Sequence, residues 1–183
     1  MYGLVNQAIS DMVTERHGPE IWERIRERAG APPIPFDAMK SYPDALTYAL
    51  VGAASDVLDT PAEQLLVAFG HYWVLETARR HYGHLLDLAG GTLREFLGNL
   101  DDMHGRVAIT FERLQPPAFA VEELDGGDLL VHYRSDRAGL APFVHGLLLG
   151  LADRFGTPIA VEHLESRGGD ATHELFIVRP ARG

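Results

Sequence analysis

The sequence predicts an α+β fold in which a helical part precedes a four-stranded antiparallel sheet. Three observations predict this class. Apolar residues follow a helical period over the first two thirds of the chain, two stretches of strand-like alternation surround glycine-containing turns in the last third, and one helical stretch lies between them. A hairpin, a helix and a second hairpin most simply form one antiparallel sheet with a helix packed on it.

Capping signals divide the first two thirds of the chain into about five helices. MYGLVNQAISDMV has apolar residues at helical spacing, and HGPEIW and SYPDAL indicate two further starts. TPAEQLL predicts a helix over about 61–79 with Thr60 as its N-cap. GGTLREFL predicts another helix, in which Thr92 is the cap and Glu95 completes a capping box. All of these helices precede Pro116.

Strand-like alternation begins after the prolines at 116 and 117, which we interpret as a boundary between two lobes. FAVEEL and DLLVHYRS flank the turn Asp125–Gly127, and PIAVEHLE and THELFIV flank a turn at 168–170. Between these hairpins, apolar residues return to a helical period over 140–155. The last third is therefore expected to form the sheet and one helix.

The composition is typical of one folded domain whose partner is a small molecule or a protein. The 183 residues are 46% hydrophobic and 23% charged, and the net charge of -10 disfavours nucleic acid and an anionic membrane surface. The chain has no apolar run that could span a membrane and no signal-peptide pattern, so we expect a cytoplasmic protein. Because cysteine is absent, a metal would need His, carboxylate or Tyr ligands.

One histidine, His104, falls within the apolar stripe of the helix that follows Thr92. The apolar members of this stripe are Leu93, Leu97, Leu100, Val107 and Phe111. A buried imidazole needs partners for its nitrogens, so His104 is either hydrogen-bonded within the core or used as a ligand. The spacing alone leaves both interpretations open, and a core histidine is the commoner case.

The stretch YRSDR ends the second predicted strand. Residues two apart share a face of an extended chain, so Tyr133, Ser135 and Arg137 are expected to present a phenol, a hydroxyl and a guanidinium side by side. Such donors suit a carboxylate or a phosphate, which arginine can bind through two hydrogen bonds. The alternative is a solvated strand end with ordinary surface residues.

Other chemistry-bearing patterns are weak in this sequence. The remaining histidines match no zinc or metalloprotease spacing, and we expect them to be surface or packing residues. There is no serine nucleophile elbow, and neither DGGD nor RGGD leads from a strand into a helix as a phosphate-binding loop does. Nothing in the sequence therefore favours a hydrolase, a kinase or a dehydrogenase.

Several stretches together resemble the haem nitric oxide/oxygen binding (H-NOX) family. The resemblance rests on MYGLVNQAISDMV, GPEIW, LVGAASDVL, REFLGNLDDMH, the PP pair and YRSDR, and it extends over about residues 1–178. It implies a single H-NOX domain over 1–183. A helical distal lobe is expected over about 1–60 and a proximal helix and sheet lobe over about 61–183, with a non-covalent b-type haem between them.

The resemblance also implies roles for individual residues. His104 would be the axial ligand of the haem iron, and the Tyr133, Ser135 and Arg137 side chains would hold the haem propionates. Pro117 matches a proline that packs against the macrocycle in this family. Further residues expected around the haem are Val5, Trp73, Met103 and Phe143.

The side of the haem opposite His104 decides which gas binds. Phe143 stands where oxygen-binding members of the family have a tyrosine that donates a hydrogen bond to bound O₂. An alignment shifted by one residue would place Pro142 there, and neither residue has a side-chain donor. The resemblance therefore implies selectivity for NO. Trp73 matches a position in the same pocket, and its indole N–H is a donor.

We therefore interpret the sequence as a sensor of NO, which also binds CO, rather than as an enzyme. NO binding would weaken the bond to His104 and let its helix shift, and a separate partner would read that shift. The family implies a histidine kinase or a diguanylate cyclase/phosphodiesterase as the partner. Two alternatives stay open: an oxygen-binding or redox haem protein, and a haem-free adaptor in which His104 is only a core residue.

Overall fold

The computed structural model describes residues 1–110, 115–164 and 172–181. The chain forms two compact units, Met1–Phe69 and Gly70–Gly183. The functional lobes expected at about 1–60 and 61–183 stay a prediction. Within the described ranges, no helix is both long and apolar enough to cross a membrane.

The first unit begins with three helices, α1 (Gly3–His17), α2 (Pro19–Arg28) and α3 (Asp44–Leu58). Its core consists mainly of small and aliphatic side chains, among them Leu4, Ala8, Ile9, Met12, Val13, Ile25, Leu50, Ala53 and Ala54. One buried polar pair lies among them, because the Thr47 hydroxyl donates to Asn6 Oδ1 at 2.7 Å. The helical periods read from the sequence therefore bury the expected faces.

The helix predicted over 61–79 is longer than expected. Helix α4 (Ala62–Tyr72) continues through a π-helical segment, Trp73–Ala78, into α5 (Arg79–Ala89), with a kink at Tyr82. Helix α5 ends just before Gly90. This glycine packs closely on the next helix, because a Cβ on Gly90 would lie 2.6 Å from the Phe96 nitrogen. The predicted end at Arg79 was wrong because the sequence has no stop signal until this glycine.

Thr60 does not cap α4 as predicted. Its hydroxyl donates to the Leu58 carbonyl at 3.0 Å instead of accepting a bond from the first turn of the helix. The Pro61 carbonyl accepts from the Gln64 and Leu65 amides at 3.0 and 3.2 Å, so the helical bonds begin at the proline.

The helix predicted after Thr92 is divided into α6 (Leu93–Gly98) and α7 (Leu100–Thr110). Asn99 lies between them with φ -100° and ψ 5°, and its side-chain amide donates to the Ala89 carbonyl at 2.9 Å. This local bond competes with a continuous helix. About five helices were predicted before Pro116, and two of those are interrupted. Phe111, the last member of the predicted stripe, lies outside the described residues.

The predicted cap at Thr92 is confirmed. Thr92 Oγ1 accepts from the Glu95 amide at 3.2 Å, and Glu95 Oε2 accepts from the Gly91 amide at 2.9 Å. The Glu95 amide is one that a helix of six residues leaves without an internal partner. The Glu95 side chain reaches the Gly91 amide rather than the Thr92 amide, so the second bond of the predicted capping box is displaced by one residue.

We expect Thr92→Ala to lower the free energy of unfolding by about 1 kcal/mol, because the Glu95 amide loses its acceptor. Urea denaturation measures this difference. Thr92→Ser keeps an acceptor oxygen and is the control. A Thr92→Ala variant as stable as Thr92→Ser would contradict the capping role.

The sheet has four strands, β1 (Ala118–Glu123), β2 (Leu129–Arg134), β3 (Ile159–Leu164) and β4 (His173–Pro180). Their order is β1-β2-β4-β3, and all neighbours are antiparallel. Helix α8 (Ala141–Arg154) lies between the two hairpins in sequence. The predicted α+β class, hairpin order and helix are confirmed. The turn predicted at 168–170 lies outside the described residues.

One face of the sheet forms the core of the second unit. Alternate residues of β2 and β4 point into it, together with residues of α6 and α8. Members of this core are Leu129, Val131, Tyr133, Phe176, Val178, Val144, Leu148, Leu151, Phe96 and Leu97. The first hairpin turns at Asp125–Gly127, where Gly126 and Gly127 take φ values of 84° and 91° that favour glycine.

Candidate functional site

His104 lies in the middle of α7, in the second unit. Its Nδ1 is buried and makes no hydrogen bond of good geometry. Burial lowers the pKa of His104, and the Pro117 backbone and the Asp101 charge oppose this shift only in part. The imidazole is therefore neutral at neutral pH, which is the form that binds a metal.

An aromatic side chain packs on the imidazole. The ring centroids of His104 and Phe119 are 5.6 Å apart, and those of Phe119 and Tyr133 are 5.3 Å apart. Phe119 lies two residues after Pro117. The proline loop, residues 115–117, and the first residues of β1 therefore lie beside the histidine. Phe119 is a site residue that the sequence analysis missed, and its position two residues after the PP pair was the only signal.

The YRSDR stretch differs in part from the predicted extended face. Tyr133 lies in β2 and is only 4% exposed, but the strand ends at Arg134. Ser135 Oγ accepts from the Arg137 amide at 3.1 Å, which is a turn rather than a strand. The three side chains therefore do not alternate along one strand, because the serine hydroxyl bonds to the backbone two residues later.

The turn nevertheless brings the guanidinium to the proline loop. Arg137 donates to the Gln115 carbonyl at 3.1 Å, and the Ser135 amide donates to the Thr172 carbonyl at 2.9 Å. Residues 115–117 therefore contact both Arg137, through the Gln115 carbonyl, and His104, through the Pro117 backbone. A guanidinium, a hydroxyl and a neutral imidazole stand in one continuous part of the second unit.

Trp73 and Phe143 come together, as the sequence predicted for two residues of one pocket. Their rings meet edge to face, with centroids 6.5 Å apart and planes at 72°. Trp73 opens the π-helical segment, a type of irregularity frequent at functional sites, and Phe143 lies in the first turn of α8. Whether Phe143 or Pro142 stands at the tyrosine position of the family stays a prediction.

Close backbone packing fixes these two elements against each other. A Cβ on Gly70 would lie 2.1 Å from the Phe143 carbonyl oxygen, and one on Gly150 would lie 3.0 Å from Val74 Cβ. Only glycine permits such an approach. The separation of Trp73 from Phe143 is therefore set by contacts that a larger residue would disrupt.

The two remaining predicted pocket residues lie in different units. Met103 precedes His104 in α7 and packs, half-buried, against the core of the second unit. Val5 is a half-buried residue of α1 in the first unit. The roles of both residues at the haem stay predictions.

Four of the other histidines contact a polar neighbouring side chain. His71 contacts Asp153 at 2.7 Å, and His163 contacts Glu174 at 2.8 Å. His132 Nδ1 and His173 Nε2 lie 3.1 Å apart on the face of the sheet opposite the core. Among the described residues, no three or more His, Asp or Glu side chains form a group that could hold a metal ion.

The fold and the site define an α+β domain with a neutral imidazole on a helix and a guanidinium beside the loop that precedes the sheet. The chain belongs to the haem-NO-binding (H-NOX) family, whose model matches residues 2–163. Domains of this family bind haem and act as sensors of NO, CO or O₂.

Curated relatives are longer than this chain. "Soluble guanylate cyclase gcy-31" of Caenorhabditis elegans is 28% identical over 176 residues, which are 96% of this chain and 24% of that protein. "Guanylate cyclase soluble subunit beta-2" of Rattus norvegicus is 36% identical over 122 residues, which are 63% of this chain and 18% of that protein. The chain thus spans about a quarter or less of the length of these relatives.

Solved structures share the fold over the whole chain. An H-NOX protein from S. oneidensis in the Fe(II)NO ligation state has a TM-score of 0.89 at 23% identity and covers 100% of both chains. The unliganded Fe(II) H-NOX protein from K. algicida has a TM-score of 0.84 at 20% identity and covers 100% of this chain and 98% of its own. The predicted family and fold class are confirmed.

The residues of the second unit fit a haem. The His104 imidazole is neutral and lies beside the Pro117 backbone, and a neutral imidazole can serve as a metal ligand. Ser135 and Arg137 are donors of the kind that hold carboxylates. Half-buried Trp73 and Met103 supply apolar surface of the kind that lines cofactor sites.

Proposed function

We propose that this protein is a haem-based sensor of NO, which also binds CO, and that His104 is its iron ligand. The observation that carries the proposal is the half-buried, neutral imidazole of His104, whose buried Nδ1 lies near the Pro117 backbone and makes no hydrogen bond of good geometry. A core histidine without a ligand would normally have both nitrogens satisfied. Membership of the haem-NO-binding family supports the same conclusion.

The proposal assigns the remaining residues to holding and shaping a b-type haem without a covalent bond. Ser135 and Arg137, with Tyr133, would bind the propionates, and Pro117 would pack against the macrocycle. When bound, the haem would supply a ferrous iron that binds NO or CO. The chain's own contribution is His104, because this residue would hold α7 to the iron. Loss of the bond between His104 and the iron would leave the helix free to change its position.

We attribute NO selectivity to Phe143. Its ring packs against Trp73 and has no hydrogen-bond donor, so bound O₂ would gain little stabilisation from this residue. NO bonds strongly to ferrous iron without such a donor. Selectivity would then follow from a missing hydroxyl rather than from an added contact.

The domain would pass its signal to another protein. We propose that the domain has no enzyme activity of its own and that it works in the cytoplasm. Its helix shift would be read by a partner such as a histidine kinase or a diguanylate cyclase/phosphodiesterase. The guanylate cyclase relatives support coupling of this kind of domain to a signalling activity.

The visible absorption spectrum of the reduced, haem-loaded protein tests the proposal. We expect a five-coordinate ferrous spectrum without ligand, no stable complex in air, and after NO a spectrum typical of iron that has lost its histidine ligand. Failure to take up haem would overturn the proposal and would favour the adaptor interpretation.

A stable complex in air would instead favour the oxygen-binding alternative. This alternative needs a hydrogen-bond donor, either Trp73 or a tyrosine whose place is not assigned. We test Trp73, because its ring lies against Phe143. Trp73→Phe would then accelerate O₂ loss or autoxidation. If Trp73→Phe had no effect on a stable oxygen complex, Trp73 would not be the stabilising donor.

A further inference from the structure

Two histidines meet on the outer face of the sheet, the face opposite the core. His132 of β2 stands opposite Leu175 of β4, and His173 lies two residues before Leu175, so both histidines share this face. His132 Nδ1 and His173 Nε2 are 3.1 Å apart, and the two ring planes differ by 20°. The register of two paired strands therefore holds two imidazole nitrogens at contact distance.

A carboxylate lies behind one ring of this pair. Glu122 of β1 is on the same face, and its Oε1 is 3.1 Å from Nε2 of His132, whose side chain is only 16% exposed. This Nε2 is buried and makes no hydrogen bond of good geometry. The negative charge favours a hydrogen on Nε2, which leaves the Nδ1 lone pair of His132 on the side of His173.

Two nitrogens at this distance cannot both carry a hydrogen between them, so the space suits either one hydrogen or one metal ion. A metal bonded to both nitrogens at about 2.0–2.1 Å would hold them at an angle of about 100°, between the square-planar and tetrahedral values. A carboxylate behind a ligating histidine is the usual arrangement that orients an imidazole toward a metal. Glu122 has this position relative to His132.

We propose that His132 and His173 bind one divalent transition-metal ion on the outer face of the sheet, with Glu122 orienting the His132 ring. Imidazole ligands suit copper, nickel and zinc, and Cu(II) binds such ligands most tightly. Among the residues that the structure describes, no third His, Asp or Glu completes a larger group. Water would therefore fill the remaining positions around the ion.

The ion would brace two segments that carry the YRSDR stretch and its neighbour. His132 immediately precedes Tyr133, and Thr172, which precedes His173, accepts from the Ser135 amide at 2.9 Å. A metal between the two histidines would thus join β2 to β4 at the end of the sheet where this hydrogen bond lies. The site itself does not involve His104, so it does not depend on haem binding.

Titration of Cu(II) into the full chain without an affinity tag tests the site. We expect the first equivalent to bind at least about 100-fold more weakly in His132→Ala and in His173→Ala, because each variant leaves one imidazole. Glu122→Gln should weaken binding by about tenfold, the loss typical of a residue that supports a metal ligand. His71→Ala is the matched control, because His71 contacts a carboxylate, Asp153, at 2.7 Å on another part of the fold.

Electron paramagnetic resonance identifies the ligands of the bound Cu(II). We expect coupling to two imidazole nitrogens in the wild type and in His71→Ala, and to one in each variant of the pair. The ion should also raise the Tm of the wild type, because it binds the paired strands and not the unfolded chain. Glu122→Gln alters a side chain that is 64% exposed, so it tests the site even if a histidine variant does not fold.

Three results would overturn the inference. Equally tight binding in His132→Ala, His173→Ala and the wild type would mean an adventitious ion only. A wild type without the two-nitrogen signal, or one whose Tm does not rise, would have no metal site on the folded sheet. Loss of the signal in His104→Gly would place the ion at His104 instead. A wild type that takes up no haem but keeps the two-nitrogen signal would overturn the proposed function alone.

Discussion

We expect the His104→Gly variant to bind haem at least about 100-fold more weakly than the wild type, because the metal loses its bond to the protein. Loss of a residue that merely supports a metal ligand already costs about 10- to 100-fold in affinity. The residual binding would come from the propionate contacts and the apolar surface. Haem titration followed by absorption measures the affinity, and the ferrous spectrum of the bound fraction should lose its histidine-ligated form.

Free imidazole distinguishes loss of the ligand from loss of the fold. The substitution leaves a space the size of the missing ring next to Phe119, so added imidazole should restore the histidine-ligated spectrum. His84→Gly is the matched control, because it places the same helix-weakening glycine at an exposed histidine of α5. A His104→Gly protein with the wild-type ferrous spectrum would contradict the assignment of the ligand.

Most of the fold could be predicted because its elements have explicit local signals. Thr92 caps α6 as its position indicates, and the two glycines in the first hairpin take positive φ values. The α+β class followed from a change of hydrophobic period after the proline pair. These features depend on residues close together in sequence, which one sequence displays directly.

The predictions that failed have two different causes. The break at Asn99 requires the Ala89 carbonyl, which lies at the end of another helix, so tertiary structure decided it. The helix predicted to end at Arg79 continues to Ala89 through a π-helical segment. The sequence has no stop signal before Gly90, so the greater length of this helix could have been predicted.

The candidate site could be predicted only in part. The position of His104 in an apolar stripe made it a candidate, but its proposed role, like those of Trp73 and Phe143, followed from the resemblance. Phe119 was missed, since an aromatic strand residue is ordinary in any protein. Only its distance to the His104 ring marks it as part of the site.

Phe143→Tyr should convert the protein into one that holds O₂. The substitution adds a hydroxyl donor to the ring that packs on Trp73, and bound O₂ is polarised by the iron. A hydrogen bond to a charged acceptor contributes about 1.5–3 kcal/mol, which corresponds to roughly tenfold to a hundredfold slower loss of the ligand. Stopped-flow displacement of O₂ by CO, after brief exposure of the ferrous protein to air, measures this rate.

The effect on NO separates a donor effect from a general change in the pocket. NO needs no donor for tight binding, so its dissociation rate should stay within about threefold of the wild-type value, well below the tenfold effect of one such hydrogen bond. Phe155→Tyr is the matched control, because Phe155 packs on Phe96 just after the last residue of α8, away from Trp73. If Phe143→Tyr formed no longer-lived oxygen complex than Phe155→Tyr, the missing hydroxyl at residue 143 would not be the source of NO selectivity.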